Sequence, residues 1–202
     1  MPMRCPVRSS SPRGAGALVL ALAGLLLTGC SSGAGAVAVN NGGEFRFVQG
    51  TAAGEVIPVG ERAGAPEFSG TLLDGADFSS TDLAGGIAVL NFWGSWCAPC
   101  RVETPEFQAV STEVADDGVQ FLGVNVKDQQ QFAEAFVDSK GITFPSLFDP
   151  KGEVALAFRD YPANAIPSTI VLDRDSRVAA VYTGEVTQDD LRAVLAQLTG
   201  EA

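Results

Sequence analysis

From Pro66 onward, apolar and polar residues alternate between two kinds of spacing along the chain. Short runs with period two, or with continuous apolar residues, predict strands, and longer stretches with apolar residues three and four apart predict helices. The nearly unbroken apolar run from Ile87 to Trp93 is typical of a strand buried on both faces. Strands that alternate with helices predict a single α/β domain, with a central mixed β-sheet flanked by helices.

The other predicted elements follow from the same periods and from Gly, Pro, Asn and Asp punctuation. The helix after Ile87–Trp93 has a predicted apolar stripe of Val102, Phe107, Val110 and Val114. The elements are an N-terminal hairpin (68–73 and 76–78), a helix (99–115), a strand (120–126), a helix (129–140), a strand (144–148), a helical turn (153–158), a hairpin (168–172 and 178–183) and a capped helix (187–198).

The first 29 residues have the pattern of an export signal. Three arginines precede the 11-residue apolar run from Ala17 to Leu27, and no acidic residue occurs before Glu44. This run is too short for an ordinary membrane-spanning helix. Leu27-Thr28-Gly29-Cys30 resembles the bacterial lipobox, which implies lipidation of Cys30, although a plain secretory signal with an incidental cysteine is the alternative. We therefore predict a signal peptide at 1–29, a lipidated cysteine and flexible tether at 30–60, and the folded domain at 61–202.

Composition excludes several classes of function. A chain of 202 residues allows about one domain besides the signal. A net charge of -11 argues against nucleic acid as a partner, because such partners require basic patches. The chain contains no histidine, which excludes Ser-His triads and histidine-ligated metal sites. We predict no cofactor and no metal.

Of the four cysteines, one pair remains in the predicted mature protein with free side chains. Cys5 leaves with the predicted signal and Cys30 is consumed by the predicted lipid, so Cys97 and Cys100 remain. They lie one helical turn apart, directly after the buried strand and at the start of a helix, which is the setting of a redox CxxC motif. We expect the helix N-terminus to stabilise the Cys97 thiolate, so that Cys97 attacks a partner and Cys100 resolves the mixed disulfide. A structural disulfide is the alternative, whereas half of a zinc site lacks further ligands.

The residues around the dithiol carry a resemblance to a known family. The run from Asn91 to Pro105, NFWGSWCAPCRVETP, resembles the active-site signature of the TlpA/ResA-like branch of membrane-tethered bacterial thioredoxins. The resemblance covers about residues 60–198 and implies a thioredoxin fold. Ala165-Ile166-Pro167-Ser168-Thr169 is similar to the loop whose cis proline faces the dithiol. The stretch from Lys127 to Asp160 is similar to the helix-and-strand insertion of this branch.

This resemblance also implies roles for individual residues. Glu103 matches an acidic residue that tunes the dithiol, although it could instead be a solvated residue near a helix start. Asn91 departs from ordinary thioredoxins, which have a titratable aspartate there. Pro105 matches a proline that kinks the active-site helix. Trp93 and Trp96 are expected to form an apolar rim, although either could instead be simple core or surface packing. The implied catalytic residues are Cys97, Cys100 and Glu103, and the implied substrate-binding residues are Trp96, Ala98, Pro99, Ile166 and Pro167.

The resulting functional prediction is an extracytoplasmic, lipid-anchored thiol-disulfide oxidoreductase. The resemblance implies that it reduces the haem-attachment cysteines of apocytochrome c and receives electrons from a membrane dithiol carrier of the CcdA type. A DsbE-like oxidase of secreted proteins is the alternative within the same chemistry, and a non-catalytic structural lipoprotein is the alternative outside it. A peroxidase would need its own cysteine motif, and a copper-delivery protein would need a histidine ligand; the sequence supplies neither.

Overall fold

The computed structural model describes Val48, Gly50, Thr51 and residues 53–201. The predicted signal peptide and Cys30 lie outside the described residues. The strands are β1 (Glu55–Val56), β2 (Ser69–Thr71), β3 (Asp77–Ser79), β4 (Ile87–Trp93), β5 (Val119–Val126), β6 (Ser146–Asp149), β7 (Ser168–Leu172) and β8 (Val178–Thr183). The helices are α1 (Cys100–Glu113), α2 (Gln130–Lys140), α3 (Glu153–Ala157) and α4 (Gln188–Thr199).

Within the described residues, six strands form one mixed sheet in the order β1-β8-β7-β4-β5-β6. Strand β4 pairs parallel with β5 and antiparallel with β7, and β5 pairs parallel with β6. The unit β4-α1-β5 is therefore a parallel crossover, while β7 and β8 form a hairpin. The mixed sheet predicted from the sequence is confirmed, with β4 at its centre.

Alternation along β4 divides the core into two layers. The side chains of Ile87 and Val89 pack with those of α1 and α4, whereas Ala88, Leu90 and Phe92 pack with those of α3 and with Phe68 before β2. Every residue of β4 is buried. The unbroken apolar run is explained by this burial, because a strand covered on both faces has no solvent side to fill with polar residues.

The N-terminal hairpin β2-β3 covers one end of the sheet, beside β6. Its turn contains Gly75 at a φ of 90°, a conformation that glycine adopts without strain. Leu72, just after β2, bridges to Leu147 of β6, and the amide of Leu73 donates to the carbonyl oxygen of Ser146 at 2.8 Å. The hairpin thus brings its turn against the edge strand, which follows α2.

Two features of the structure differ from the sequence-based expectation. Val102 is 56% exposed, and the inward face of the first turns of α1 is formed by Cys100, Glu103 and Thr104, so the predicted apolar stripe is wrong at that position. Strand β1 lies in the turn-rich segment predicted as tether, and it pairs with β8. No helix within the described residues is long and apolar enough to cross a membrane.

Candidate active site

The two cysteines lie where the buried strand β4 gives way to helix α1. Cys97 follows β4 by four residues, and Cys100 is the first residue of α1. Their sulfurs are joined in a disulfide of 2.02 Å, and the amide of Cys100 lies 3.2 Å from Cys97 Sγ as a donor. Cys97 retains 4% exposure and Cys100 none. The helix N-terminus is thus directed at the outer sulfur, in the order expected for an attacking and a resolving thiol.

The two tryptophans of the motif occupy different environments. Trp93 is 1% exposed and packs beneath the disulfide, with its ring 5.0 Å from that of Phe136 in α2. It belongs to the core and does not form part of the rim, which corrects the prediction for this residue. Trp96 is 54% exposed and lies over Gly94, where a Cβ atom would meet the indole nitrogen at 2.5 Å. Of the two tryptophans, Trp96 is the one that can offer an apolar surface to a partner.

The loop before β7 completes the surroundings of the disulfide. The Ile166–Pro167 peptide bond is cis, as the resemblance implies, and Ile166 packs partly buried against the cluster that contains Cys97 and Cys100. Ala98 and Pro99 are exposed between the two cysteines. Trp96, Ala98 and Pro99 adjoin the two cysteines in the chain, Ile166 packs against their cluster, and the adjacent Pro167 is buried. Contact with a substrate stays a prediction for all five.

Glu103 is completely buried one turn beyond Cys100, which rules out the alternative of a solvated residue. Residues three apart share a face of a helix, so its carboxyl group lies on the same side of α1 as Cys100. Burial raises the pKa of Glu103 to about 7, although hydrogen bonds from Asn91 Nδ2 at 2.9 Å and from the Val186 amide at 3.1 Å act to lower it. A carboxyl group of this kind can release and bind a proton near neutral pH.

Asn91 holds this carboxyl group in place, a role that the sequence analysis did not assign. Its Nδ2 donates to Glu103 Oε1 and, at 3.3 Å, to Thr169 Oγ1 in β7. The signal was present in the alternation of β4, because Asn91 and Trp93 lie two residues apart and so point to the same face. That this face meets Glu103 requires knowledge of how α1 packs on the sheet.

Asp128 anchors the loop that precedes Cys97. Its carboxylate accepts hydrogen bonds from the amide and the hydroxyl of Ser95, at 2.6 and 2.9 Å, and from Asn125 and the Gln129 amide. Burial acts to raise the pKa of Asp128, but these hydrogen bonds outweigh it and lower the pKa. Parallel strands end at one edge of a sheet, so an acidic residue just after β5 could have been expected near the residues that follow β4.

No group of three or more Cys, Asp or Glu side chains suited to a metal ion occurs among the described residues. The site presents a disulfide, an exposed tryptophan, a cis-proline loop and a buried carboxyl group. This arrangement is suited to exchange of the Cys97–Cys100 disulfide with a partner's thiols or disulfide.

The comparisons with known proteins agree with this chemistry. Residues 61–181 match the AhpC/TSA family. The chain is 34% identical to the thiol-disulfide oxidoreductase ResA of Geobacillus thermodenitrificans over 128 residues, which are 63% of this chain and 72% of that protein.

Two solved structures share the fold. A DsbF homologue from Corynebacterium diphtheriae is 40% identical, with a TM-score of 0.68 over 72% of this chain and 93% of that one. A secreted thiol-disulfide isomerase from Corynebacterium glutamicum is 35% identical, with a TM-score of 0.70 over 74% of this chain and 93% of that one. The chain thus belongs to the AhpC/TSA family, as a thiol-disulfide oxidoreductase of thioredoxin fold similar to ResA.

Proposed function

We propose that this protein is a reductant, and that it keeps the haem-attachment cysteines of apocytochrome c reduced outside the cell membrane. The observation that carries the direction of electron flow is the environment of Cys100. This residue is completely buried among Trp93, Ala133 and Phe136, with the carboxyl group of Glu103 one turn away. An apolar setting next to a carboxylate disfavours a thiolate. A stabilised reduced form makes a strong oxidant, and the helix N-terminus gives some of that stabilisation to Cys97. Cys100 gains none of it, which favours a reductant.

The reaction begins from the reduced enzyme. The Cys97 thiolate attacks one sulfur of the partner's disulfide, a bond forms between Cys97 and that sulfur, and the partner's other sulfur leaves as a thiolate that takes up a proton. Cys100 then loses its proton and attacks Cys97 Sγ, which forms the intramolecular disulfide and releases the partner's second thiolate. Two electrons pass from enzyme to partner. Glu103, as a carboxylate, is the proposed acceptor of the Cys100 proton.

The location that fits this role is the outer face of the bacterial cell membrane. A signal peptide at 1–29 would export the chain, and lipid on Cys30 would anchor it, because two or more acyl chains give stable binding to a membrane. The segment up to residue 60 would link the anchor to the domain at 61–202. A membrane dithiol carrier of the CcdA type would then return electrons to the Cys97–Cys100 disulfide.

The proposed reaction can be tested by trapping its intermediate. In a Cys100→Ala variant the mixed disulfide on Cys97 cannot be resolved, so partners stay attached and can be identified after export in the native host. We expect apocytochrome c among the trapped proteins. A Cys97→Ala variant is the matched control and should trap none, because its remaining thiol is buried. Recovery of many secreted proteins without apocytochrome c would contradict the proposal.

That contrary outcome corresponds to the second candidate, an oxidase that introduces disulfides into secreted proteins. The observation in its favour is that the two solved structures reported above are named as a DsbF homologue and a secreted thiol-disulfide isomerase. The same two cysteines serve both directions of electron flow. The burial of Cys100 is what makes the reductant the better supported of the two.

A further inference from the structure

A groove of about 340 Å³ opens between helix α2, the turn of the β2-β3 hairpin and the segment that leads into β6. Its walls include five apolar side chains, which are Leu72, Leu73, Val137, Ile142 and Phe144. This volume lies at the lower end of the range of about 300–1,000 Å³ found for ligand sites. The exchange chemistry described above does not use this groove.

The charges at the groove are all of one sign. The carboxylates of Asp74, Glu134 and Asp138 line it, and among its lining residues, all within the described part of the chain, none is lysine or arginine. Asp74 and Asp138 are exposed, and Glu134 is half-buried. A peptide with positive charges would meet complementary charges here, whereas an acidic segment would be repelled. A second copy of this acidic chain is disfavoured for the same reason.

The groove shares walls with the active site. Leu73 and Val137 line the groove, and both also pack against the cluster formed by Trp93, Cys97, Cys100, Ala133 and Phe136. These two side chains therefore contribute both to the wall of the groove and to the packing that supports the disulfide. From this shared packing we expect the residues that flank a partner's reacting cysteine to reach the groove.

We propose that this groove binds a basic, partly apolar segment of the partner protein, next to the cysteine that undergoes exchange. Apolar side chains of that segment contact the walls, and its lysines or arginines pair with the three carboxylates. The inference deepens the proposed function by naming a substrate class, and it rests on the exchange chemistry alone. It requires neither apocytochrome c as the partner nor a particular direction of electron flow.

The test compares two variants of the full chain that lose the same number of negative charges. The groove variant is Asp74→Asn/Glu134→Gln/Asp138→Asn, in which the amide oxygens retain the hydrogen bonds now accepted from the Ala76 amide and Gln130. The control variant is Glu55→Gln/Glu67→Gln/Asp116→Asn, at three exposed positions outside the groove. Rate constants for exchange are measured with three peptides. Each carries one disulfide and a flanking segment that contains leucine, and the flanking segments differ in having lysines, glutamines or glutamates. Bis(2-hydroxyethyl) disulfide serves as a substrate too small to reach the groove.

The groove variant should lose about tenfold in the rate constant for the lysine peptide relative to the glutamine peptide, which corresponds to the loss of three weak ion pairs near the protein surface. The control variant should keep the wild-type ratio, and both should react normally with the small disulfide. An unchanged ratio in the groove variant, or an equal fall in both variants, would overturn the proposal. So would a dimer of the wild-type chain that dissociates in the groove variant. If the wild-type protein does not exchange with bis(2-hydroxyethyl) disulfide, that result would instead refute the exchange chemistry on which the proposed function rests.

Discussion

At the scale of single residues, the site depends on one buried carboxyl group and the groups that hold it. Glu103 has no contact with solvent, yet two donors, Asn91 Nδ2 and the Val186 amide, bond its oxygens. The CxxC motif identified Cys97 and Cys100 from the sequence, and the family resemblance implied the cis Pro167. The contact between Asn91 and Glu103 could not be predicted in this way, because it spans a strand and a helix whose packing is set by the whole core.

The raised pKa of Glu103 predicts a specific dependence of stability on pH. Between pH 4.5, its ordinary pKa, and about pH 7, the folded chain retains a proton that the unfolded chain has released. The free energy of unfolding therefore falls as pH rises through this window. Glu103→Gln removes this pH-dependent contribution. As pH rises through the window, the free energy of unfolding of the variant should therefore increase relative to that of wild type by on the order of 3 kcal/mol.

Urea unfolding of the oxidised proteins at a series of pH values checks this expectation. Glu106→Gln provides a matched control on the same helix, because Glu106 is only half-buried. Parallel stability curves for wild type and Glu103→Gln would show that the buried carboxyl group does not titrate in this range.

At the scale of elements, the site is assembled at the ends of parallel strands. Strand β4 ends shortly before the dithiol at the start of α1, and β5 ends shortly before Asp128 at the start of α2. The bounds of β4, β7 and β8 were predicted residue by residue, because continuous apolar runs bounded by turn residues leave little choice. The inward face of α1 was predicted less well, since a helix that covers a redox site buries Glu103 and Thr104 where periodicity favours Val102.

Asp128→Ala should loosen the loop before Cys97. The change leaves the Ser95 amide without its acceptor, so we expect a loss of about 2 kcal/mol in the free energy of unfolding. The exchange rate should also fall severalfold, because the attacking sulfur is less well positioned. Hydrogen exchange at the Ser95 amide and kinetics with a small disulfide measure both effects. Asp116→Ala, at an exposed acidic position, should change neither; faster exchange at Ser95 without a kinetic effect would show that the loop need not be fixed.

At the scale of the whole molecule, one ionic cluster joins three distant parts of the chain. Arg62 donates to the carbonyl oxygen of Ile57 at 2.9 Å, pairs with Asp173 before the β7-β8 turn at 3.2 Å, and bonds Glu201 after α4 at 2.6 Å. The fold class was predicted from the alternation of elements and from the family resemblance. Strand β1 and this cluster could not be predicted, because partners more than 100 residues apart leave no periodic signal in the sequence.

Arg62→Met should lower the free energy of unfolding by about 2 kcal/mol at neutral pH, since Asp173 keeps its second partner Arg177. The hydrogen bond from Arg62 lowers the pKa of Glu201, and hydrogen bonds from Arg177 and Arg62 lower the pKa of Asp173 against the effect of burial. Their stabilising effect is complete above their ordinary values of 4.5 and 3.8 and is lost as pH falls. The difference in the free energy of unfolding between wild type and Arg62→Met should therefore become smaller at acid pH. Thermal unfolding at neutral and acid pH measures it, and a difference that grows in acid would contradict the assignment.

The reduction potential of the Cys97–Cys100 pair shows whether this protein is a reductant or an oxidant of its partners. It is obtained by equilibrating the protein with glutathione or dithiothreitol mixtures and following the thiol content of the two cysteines. Because Cys100 is buried in an apolar cluster beside Glu103, we expect a potential below about -200 mV, in the range of thiol reductants. A potential near -120 mV, which is typical of a strong oxidant, would contradict it.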